Sequence, residues 1–489
     1  MTANALALDA GGVRRAGLAY MITGFAVFLL MGLLGLVMRL AHAGSLTISA
    51  DLFYRVMTLH GSGMIAATML AAMGGLAIVL GKTTPLSVRW LWIGFAIYFL
   101  GAGLVIAATM IGRLATGWTV LYPLPFAGKT WGFGAALLMY GAYACVGVGF
   151  LLYCVNILQA TSRASGGLGR ALGWRYLFSG GRDTRDPLPT PAALAGTVVA
   201  LDGILAVACG VVYLVAPFIG PRSPADQVDP LIAKNVLMLF GHTLANLTIY
   251  LAAGCVYVTL PAYAGREWKT TWPVVLALNL VIVLVVTPVF HHLYQDFAQP
   301  MALHFIGQIG SYAVAIPAVV VTIVGALALV YRSEFRWSVP SILIALGLWG
   351  WVIGGFGAVL DSTIGINQVM HNTLWVPAHF HTYYLLGAAS FVIAYFYHVT
   401  AELSGRSERA VSRWAAWLFG VGAAGFLLMF YVSGANGVPR RFAVHLPQWQ
   451  GWAKIAVPFV IVEAIGLGWI TLEILARLGP AWRSSREVT

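Results

Sequence analysis

The succession of apolar and polar residues divides the chain into twelve long apolar runs joined by polar connections. The runs cover approximately 17–41, 52–81, 88–112, 131–157, 192–217, 233–260, 272–293, 303–331, 340–360, 373–400, 413–434 and 453–477. A helix needs about 20 apolar residues to cross a bilayer, and each run meets that length. The longest interruption, 158–191, is rich in Gly, Ser, Arg and Pro and reads as a surface loop. No internal repeat and no soluble domain breaks the series. The pattern predicts an all-α polytopic membrane protein, a bundle of about twelve transmembrane helices forming a single domain over 1–489.

Composition agrees. The chain is 60% hydrophobic and 9% charged, whereas soluble domains carry roughly 25% charged residues. So few charges cannot cover a soluble surface of this size, and lipid must cover most of it. The net charge of +12 comes without a basic cluster interleaved with aromatics, so nucleic acid is not an expected partner. With a cytoplasmic N-terminus, 19 of the 28 basic residues fall on the inner side and nine on the outer. Positive charge favours the cytoplasmic side, so the excess reads as a topology signal for a bacterial inner membrane. Arg14 and Arg15 precede the first run, which lacks a cleavage pattern and reads as a span rather than a removed signal. Cys145, Cys154, Cys209 and Cys255 lie inside apolar runs and form no CxxC pattern, so packing accounts for them.

The eleven histidines change the picture. An ionisable group inside a membrane is expensive and marks function by default. His60, His242 and His379 lie in runs 2, 6 and 10, roughly 9–13 Å in from the outer end at 1.5 Å per residue. His291 and His292 end the outward-running seventh span. Separate stretches of sequence thus bring histidines to one depth, which scattered core histidines would not do. His379 and His381, two apart, point roughly 200° apart on a helix, so one helix can serve a planar cofactor on each flank. His60 opposite one of them supplies two axial ligands for a six-coordinate haem, and a five-coordinate haem needs only one proximal histidine. His242, His291 and His292 supply three imidazoles for a further metal.

These segments resemble subunit I of the haem–copper oxidases. TLHGSGMI (58–65) is similar to the low-spin-haem segment of span 2, and FGHTLANLTIY (240–250) and VFHHLYQDF (289–297) to the segments that bind the non-haem metal. HNTLWVPAHFH (371–381) resembles the span-10 signature, its WVP favouring the B-type branch, and GVPRR (437–441) resembles the propionate-binding loop. The resemblance covers nearly the whole chain. It implies that His60 and His381 bind a low-spin haem, that His379 is proximal to a high-spin haem, and that His242, His291 and His292 bind the second metal. It further implies that Arg440 and Arg441 hold propionates, with His371 nearby. Guanidinium, always charged and forked, suits a carboxylate.

The departures bear on substrate. In A- and B-type oxygen reductases a tyrosine stands four residues after the first metal histidine; here that position is Asn246. C-type enzymes place theirs six residues before the histidine pair, here Val285. The A-type glutamate two residues after the span-6 histidine is Leu244. Nitric oxide reductases of this superfamily also lack the tyrosine, and their common form has glutamate at the Asn246 position. A neutral amide is a poor ligand for a hard cation, so three imidazoles favour copper over iron. The expectation is a B-type-derived reductase of NO to N2O, with O2 reduction to water and proton translocation as the alternative. Electrons would come from a cupredoxin-like or cytochrome c-type partner subunit, since the chain has no copper-thiolate or c-type haem motif. Asp202 and Glu463 are the clearest ionisable groups within spans and candidate proton carriers. Tyr250 and Tyr294 are candidates to replace the missing tyrosine. A transporter would show paired broken helices with mid-membrane charges. A diheme electron relay would leave His242, His291 and His292 without a task.

Overall fold

The computed structural model describes residues 3–485. Twelve helices among them are long and apolar enough to cross a membrane. They are α1 (Ala10–His42), α2 (Ala50–Gly81), α3 (Val88–Ile111), α4 (Phe133–Ser165), α5 (Pro191–Phe218) and α6 (Pro230–Ala264). The second half holds α7 (Trp272–Leu293), α8 (Met301–Val330), α9 (Val339–Ser362), α10 (Trp375–Ser404), α11 (Ala410–Ala435) and α12 (Pro447–Ser484). The described residues contain no strand, only one isolated bridge between Thr373 and Pro439. The fold is all-α, and every apolar run is a helix.

The helix ends follow caps rather than hydropathy. Asp229 accepts hydrogen bonds from the backbone N–H of Leu231 (2.9 Å) and Ile232 (3.0 Å), with Pro230 in the first turn. This satisfies donors that a helix start leaves free. Ser338 and Ser341 close α9 with a capping box. Gly166 (φ 73°) and Gly265 (φ 63°) end α4 and α6 in the left-handed region that glycine enters without strain. As a result the 158–191 interruption is shorter than expected. α4 continues to Ser165, and helical turns occupy Leu168–Ala171 and Trp174–Phe178. There Arg175 pairs with Asp186 (3.3 Å) and Asp183 (3.8 Å).

The seventh span departs from a continuous helix. Its α-helical part stops at Leu284, and Pro288–Leu293 forms a tighter 3-10 turn. Pro288 has no N–H to give to the helix ladder, and Thr287 Oγ1 instead donates to Leu284 O at 2.8 Å. The histidine pair therefore sits on a 3-10 turn, where neighbours lie about 120° apart rather than about 100°. In α10, regular helix holds through His381 and gives way to a π-helical stretch, Thr382–Ala389. Such widened turns cluster at functional sites.

One cluster of buried apolar side chains runs from Val13 in α1 to Ile474 in α12 and draws on all twelve spans. α1 and α2 meet backbone to backbone: a Cβ on Gly17 would lie 2.7 Å from Gly74 O. Small residues permit such close approach in a bilayer, where packing rather than water drives helix association. Enclosure is uneven. The apolar windows of α10, α2 and α6 are 89%, 78% and 61% buried, against 17% for α12. The three most enclosed spans are those that carry His379 and His381, His60 and His242.

Candidate functional site

The imidazoles of His60 on α2 and His381 on α10 face one another, ring centroids 6.2 Å apart and planes within 14°. An iron between them, bonded at about 2 Å to each nitrogen, would set the centroids roughly 6 Å apart. Each ring is held by its other nitrogen. His60 Nδ1 lies 2.7 Å from Met31 O, and His381 Nδ1 lies 2.7 Å from Pro377 O. A carbonyl only accepts, so both Nδ1 atoms carry the proton and both Nε2 lone pairs are free for a metal. Gly35 makes room, since a Cβ there would lie 3.0 Å from His60 Cε1. This pairing resolves which span-10 histidine opposes His60.

His242, His291 and His292 come together as well. One ligand nitrogen from each lies within 4.8 Å of the others, and the ring centroids are 5.4, 4.9 and 4.1 Å apart. Neutral imidazoles at these separations suit a single copper, zinc or iron ion with bonds of about 2 Å. His291 Nδ1 lies 2.9 Å from Ser311 Oγ, whose hydroxyl donates to Gly307 O at 2.6 Å. The serine proton is thus committed, so its oxygen accepts from His291 Nδ1 and leaves the Nε2 lone pair free for a metal. Gly307 lets α8 approach this turn, since a Cβ there would lie 2.9 Å from His291 N.

Asn246 lies one turn beyond His242. Its Nδ2 donates to His242 O at 3.0 Å and rests 3.2 and 3.3 Å from the two ring nitrogens. Near-equal distances to both nitrogens mean that the amide packs over the ring rather than bonding along a lone pair. The position that would carry a tyrosine thus holds a neutral amide tied to its own helix. Val285 is fully buried, and Leu244 is 5% exposed. Tyr294 donates its hydroxyl to Ser362 O at 3.0 Å, and Tyr250 is buried in the main core.

His379 occupies the flank of α10 away from His60. Its Nδ1 is buried without a partner, and its Nε2 is 4.0 Å from Asp361 Oδ2. An orphaned buried imidazole nitrogen fits a residue that takes a ligand. Outside the spans, residues 372–374 run against 438–440 through Arg440 N–H to Asn372 O (2.9 Å) and Leu374 N–H to Val438 O (2.9 Å). That pairing holds the two arginines over the start of α10. Neither makes an ion pair within 4.0 Å among the described residues, and Arg441 adopts a left-handed φ of 66°. Such backbone strain concentrates at ligand sites. Burial lowers the Arg440 pKa to about 9, the Arg441 charge adding and Asp361 opposing. His371 is buried, and burial, then Arg440, Lys234 and Arg441, hold it neutral with a pKa of about 3. A cationic, partnerless pair fits the carboxylates of a haem.

Asp202 on α5 is 1% exposed with one carboxylate oxygen unpartnered. Glu463 is half-buried on α12, the least enclosed span. The four cysteines are free. Several site-facing residues escaped the sequence reading. Arg39 is 5% exposed and packs 4.1 Å over the Phe430 ring beside His381. His42 and His445 stack at 3.9 Å, with His42 Nε2 donating to Phe442 O at 2.9 Å. Asp361 lies one residue beyond its apolar run. Arg39 falls inside the first predicted run, a signal that was available.

The comparisons agree with this geometry. The family model "Cytochrome C and Quinol oxidase polypeptide I" matches residues 15–467. Cytochrome c oxidase subunit 1 of Thermus thermophilus is 26% identical over 448 residues, covering 85% of this chain and 73% of that protein. Cytochrome c oxidase polypeptide 1 of Halobacterium salinarum is 25% identical over 490 residues, covering 96% and 78%. A solved haem–copper terminal oxidase dimer superposes with TM-score 0.79 at 20% identity, covering 95% of this chain and 84% of that one, a likeness of fold. With twelve apolar helices and a family match across nearly its whole length, the chain belongs to the haem–copper oxidase subunit I family and is a multi-pass membrane oxidoreductase subunit.

Proposed function

We propose that this chain, a single transmembrane domain, is the catalytic subunit of a terminal reductase in a bacterial inner membrane, its N-terminus cytoplasmic, and that its gas is nitric oxide. The observation that carries the substrate is Asn246, an amide packed on His242 where a redox-active tyrosine would stand. Two NO, two electrons and two protons give N2O and water, and that stoichiometry needs no organic radical. Reducing O2 to two waters takes four electrons and four protons, two electrons more than the two metals of a reduced dinuclear site supply at one electron each.

His60 and His381 would hold the low-spin haem, His379 the high-spin haem, and His242, His291 and His292 a copper. When bound, these groups supply electron transfer and the binding of the gas. The protein positions them: backbone carbonyls fix the tautomers of His60 and His381, and Ser311 fixes that of His291. Arg440 and Arg441 would hold the propionates, with His371 kept neutral beside them. Asp202, enclosed and unpartnered, is suited to hold a proton on the inner side of the site. Glu463, at the rim of the bundle, is less so. The electron donor would be a cupredoxin-like or cytochrome c-type partner subunit.

The second reading is O2 reduction, and the relatives named above favour it, since both carry cytochrome c oxidase names. The B-type assignment rests on the WVP motif alone. Parallel NO and O2 electrode traces on the purified, reduced protein decide. Fast NO loss with slow O2 uptake supports the proposal. Fast four-electron O2 uptake without NO loss overturns it and directs attention to Tyr250 and Tyr294.

A further inference from the structure

Asp361 ends α9 in surroundings that do not favour a carboxylate. It is 1% exposed, and neither side-chain oxygen has a hydrogen-bond partner among the described residues. It also lies in the last turn of α9, Val339–Ser362, where the helix dipole is negative and repels an anion. A buried charge without compensation is strongly disfavoured, so its neighbours must explain it. Asn367 Nδ2 donates to the Asp361 backbone carbonyl at 2.6 Å and reaches His291 O at 3.4 Å. That amide fixes Asp361 relative to the three-histidine cluster. The carboxylate itself faces the His379 ring at 4.0 Å, with Arg440 the nearby cation.

We propose that Asp361 is a positioning residue for His379, orienting its imidazole and presenting a carboxyl group as acceptor for the ring beside the iron that His379 would hold. The inference rests on the reading of His379 as the proximal haem ligand. An imidazole that held iron through one ring nitrogen would carry a proton on the other that needs an acceptor, and the Asp361 carboxylate, 4.0 Å from Nε2, is the only acidic group within 4.0 Å of His379 among the described residues. An acceptor carboxylate raises the basicity of a metal-bound imidazole. It also stabilises the ferric over the ferrous state, because the ferric centre carries one more positive charge. The low-spin haem lacks such a group: the rings of His60 and His381 meet neutral carbonyls. Asp361 would therefore contribute to a difference in potential between the two haems.

The test is a spectroscopic redox titration of both haems, with resonance Raman spectra of the reduced protein, for wild type, Asp361→Asn and Asp361→Glu. We expect Asp361→Asn to raise the midpoint of the high-spin haem alone and to move its iron–histidine stretch to lower frequency. Asp361→Glu should return both toward wild type. An unmoved midpoint and stretch in Asp361→Asn overturns the proposal. So does an equal movement of both haems, which would mean a general structural change. If the wild-type protein shows no iron–histidine band at all, the proximal role of His379 fails first, and this inference fails with it.

Discussion

Replacing Ser311 with alanine isolates the support of the metal cluster from its ligands. Ser311 is 8% exposed, donates to Gly307 O at 2.6 Å and accepts from His291 Nδ1 at 2.9 Å. The substitution removes one hydroxyl and leaves all three imidazoles in place. It frees His291 to adopt the other tautomer, in which Nε2 carries the proton and must lose it before binding a metal. Loss of a group that holds a metal-bound histidine costs about 10–100-fold in affinity, or about 1.4–2.7 kcal/mol. The small void left by a hydroxyl adds little, because α8 is already in close contact at Gly307. The assay is copper retained per chain after equilibration with graded chelator, with haem content measured on the same samples. We expect the retention curve to move 10–100-fold while both haems stay. Retention equal to wild type would refute the tautomer argument. Parallel loss of haem would show that Ser311 matters to the bundle instead.

Two further outcomes follow from the same geometry. His60→Ala should remove the low-spin haem alone, so that a pyridine haemochrome assay falls from two haems per chain to one while copper is retained. His371 is held at a pKa of about 3 against an ordinary value near 6.5, so the unfolded chain binds the extra proton between those limits. Its contribution to stability is complete above about pH 6.5 and declines as pH falls toward 3, by at most about 1.4 kcal/mol per pH unit. His371→Gln should flatten the acid side of a thermal-stability profile over that window, and an unchanged slope would show that another group governs it.

The membrane architecture was legible because it depends on length and hydropathy, and both survive in a linear reading. The histidines were legible for a related reason: their depths follow from counting residues along helices that start at the same face. What counting could not supply was contact between distant segments. His42 and His445 stack across some four hundred positions, and nothing in either neighbourhood announces the other. Angular spacing placed His379 and His381 on opposite flanks but could not say which faced His60; the carbonyl of Pro377 and the position of α2 decide that. The break at Pro288 was visible as a proline in an apolar run, yet hydropathy alone carried the helix through it. Asp361 was passed over because it sits just past 340–360, where a carboxylate reads as the start of a loop. Packing, not position in the sequence, makes it a buried group facing His379.

The account stands on six histidines holding two haems and one further metal, and a metal and haem count on purified protein tests that most directly. Wild type should contain two haems and one non-haem copper per chain, and His242→Ala should lose the copper while keeping both haems. A protein with no haem, or one whose non-haem metal survives His242→Ala unchanged, would contradict it.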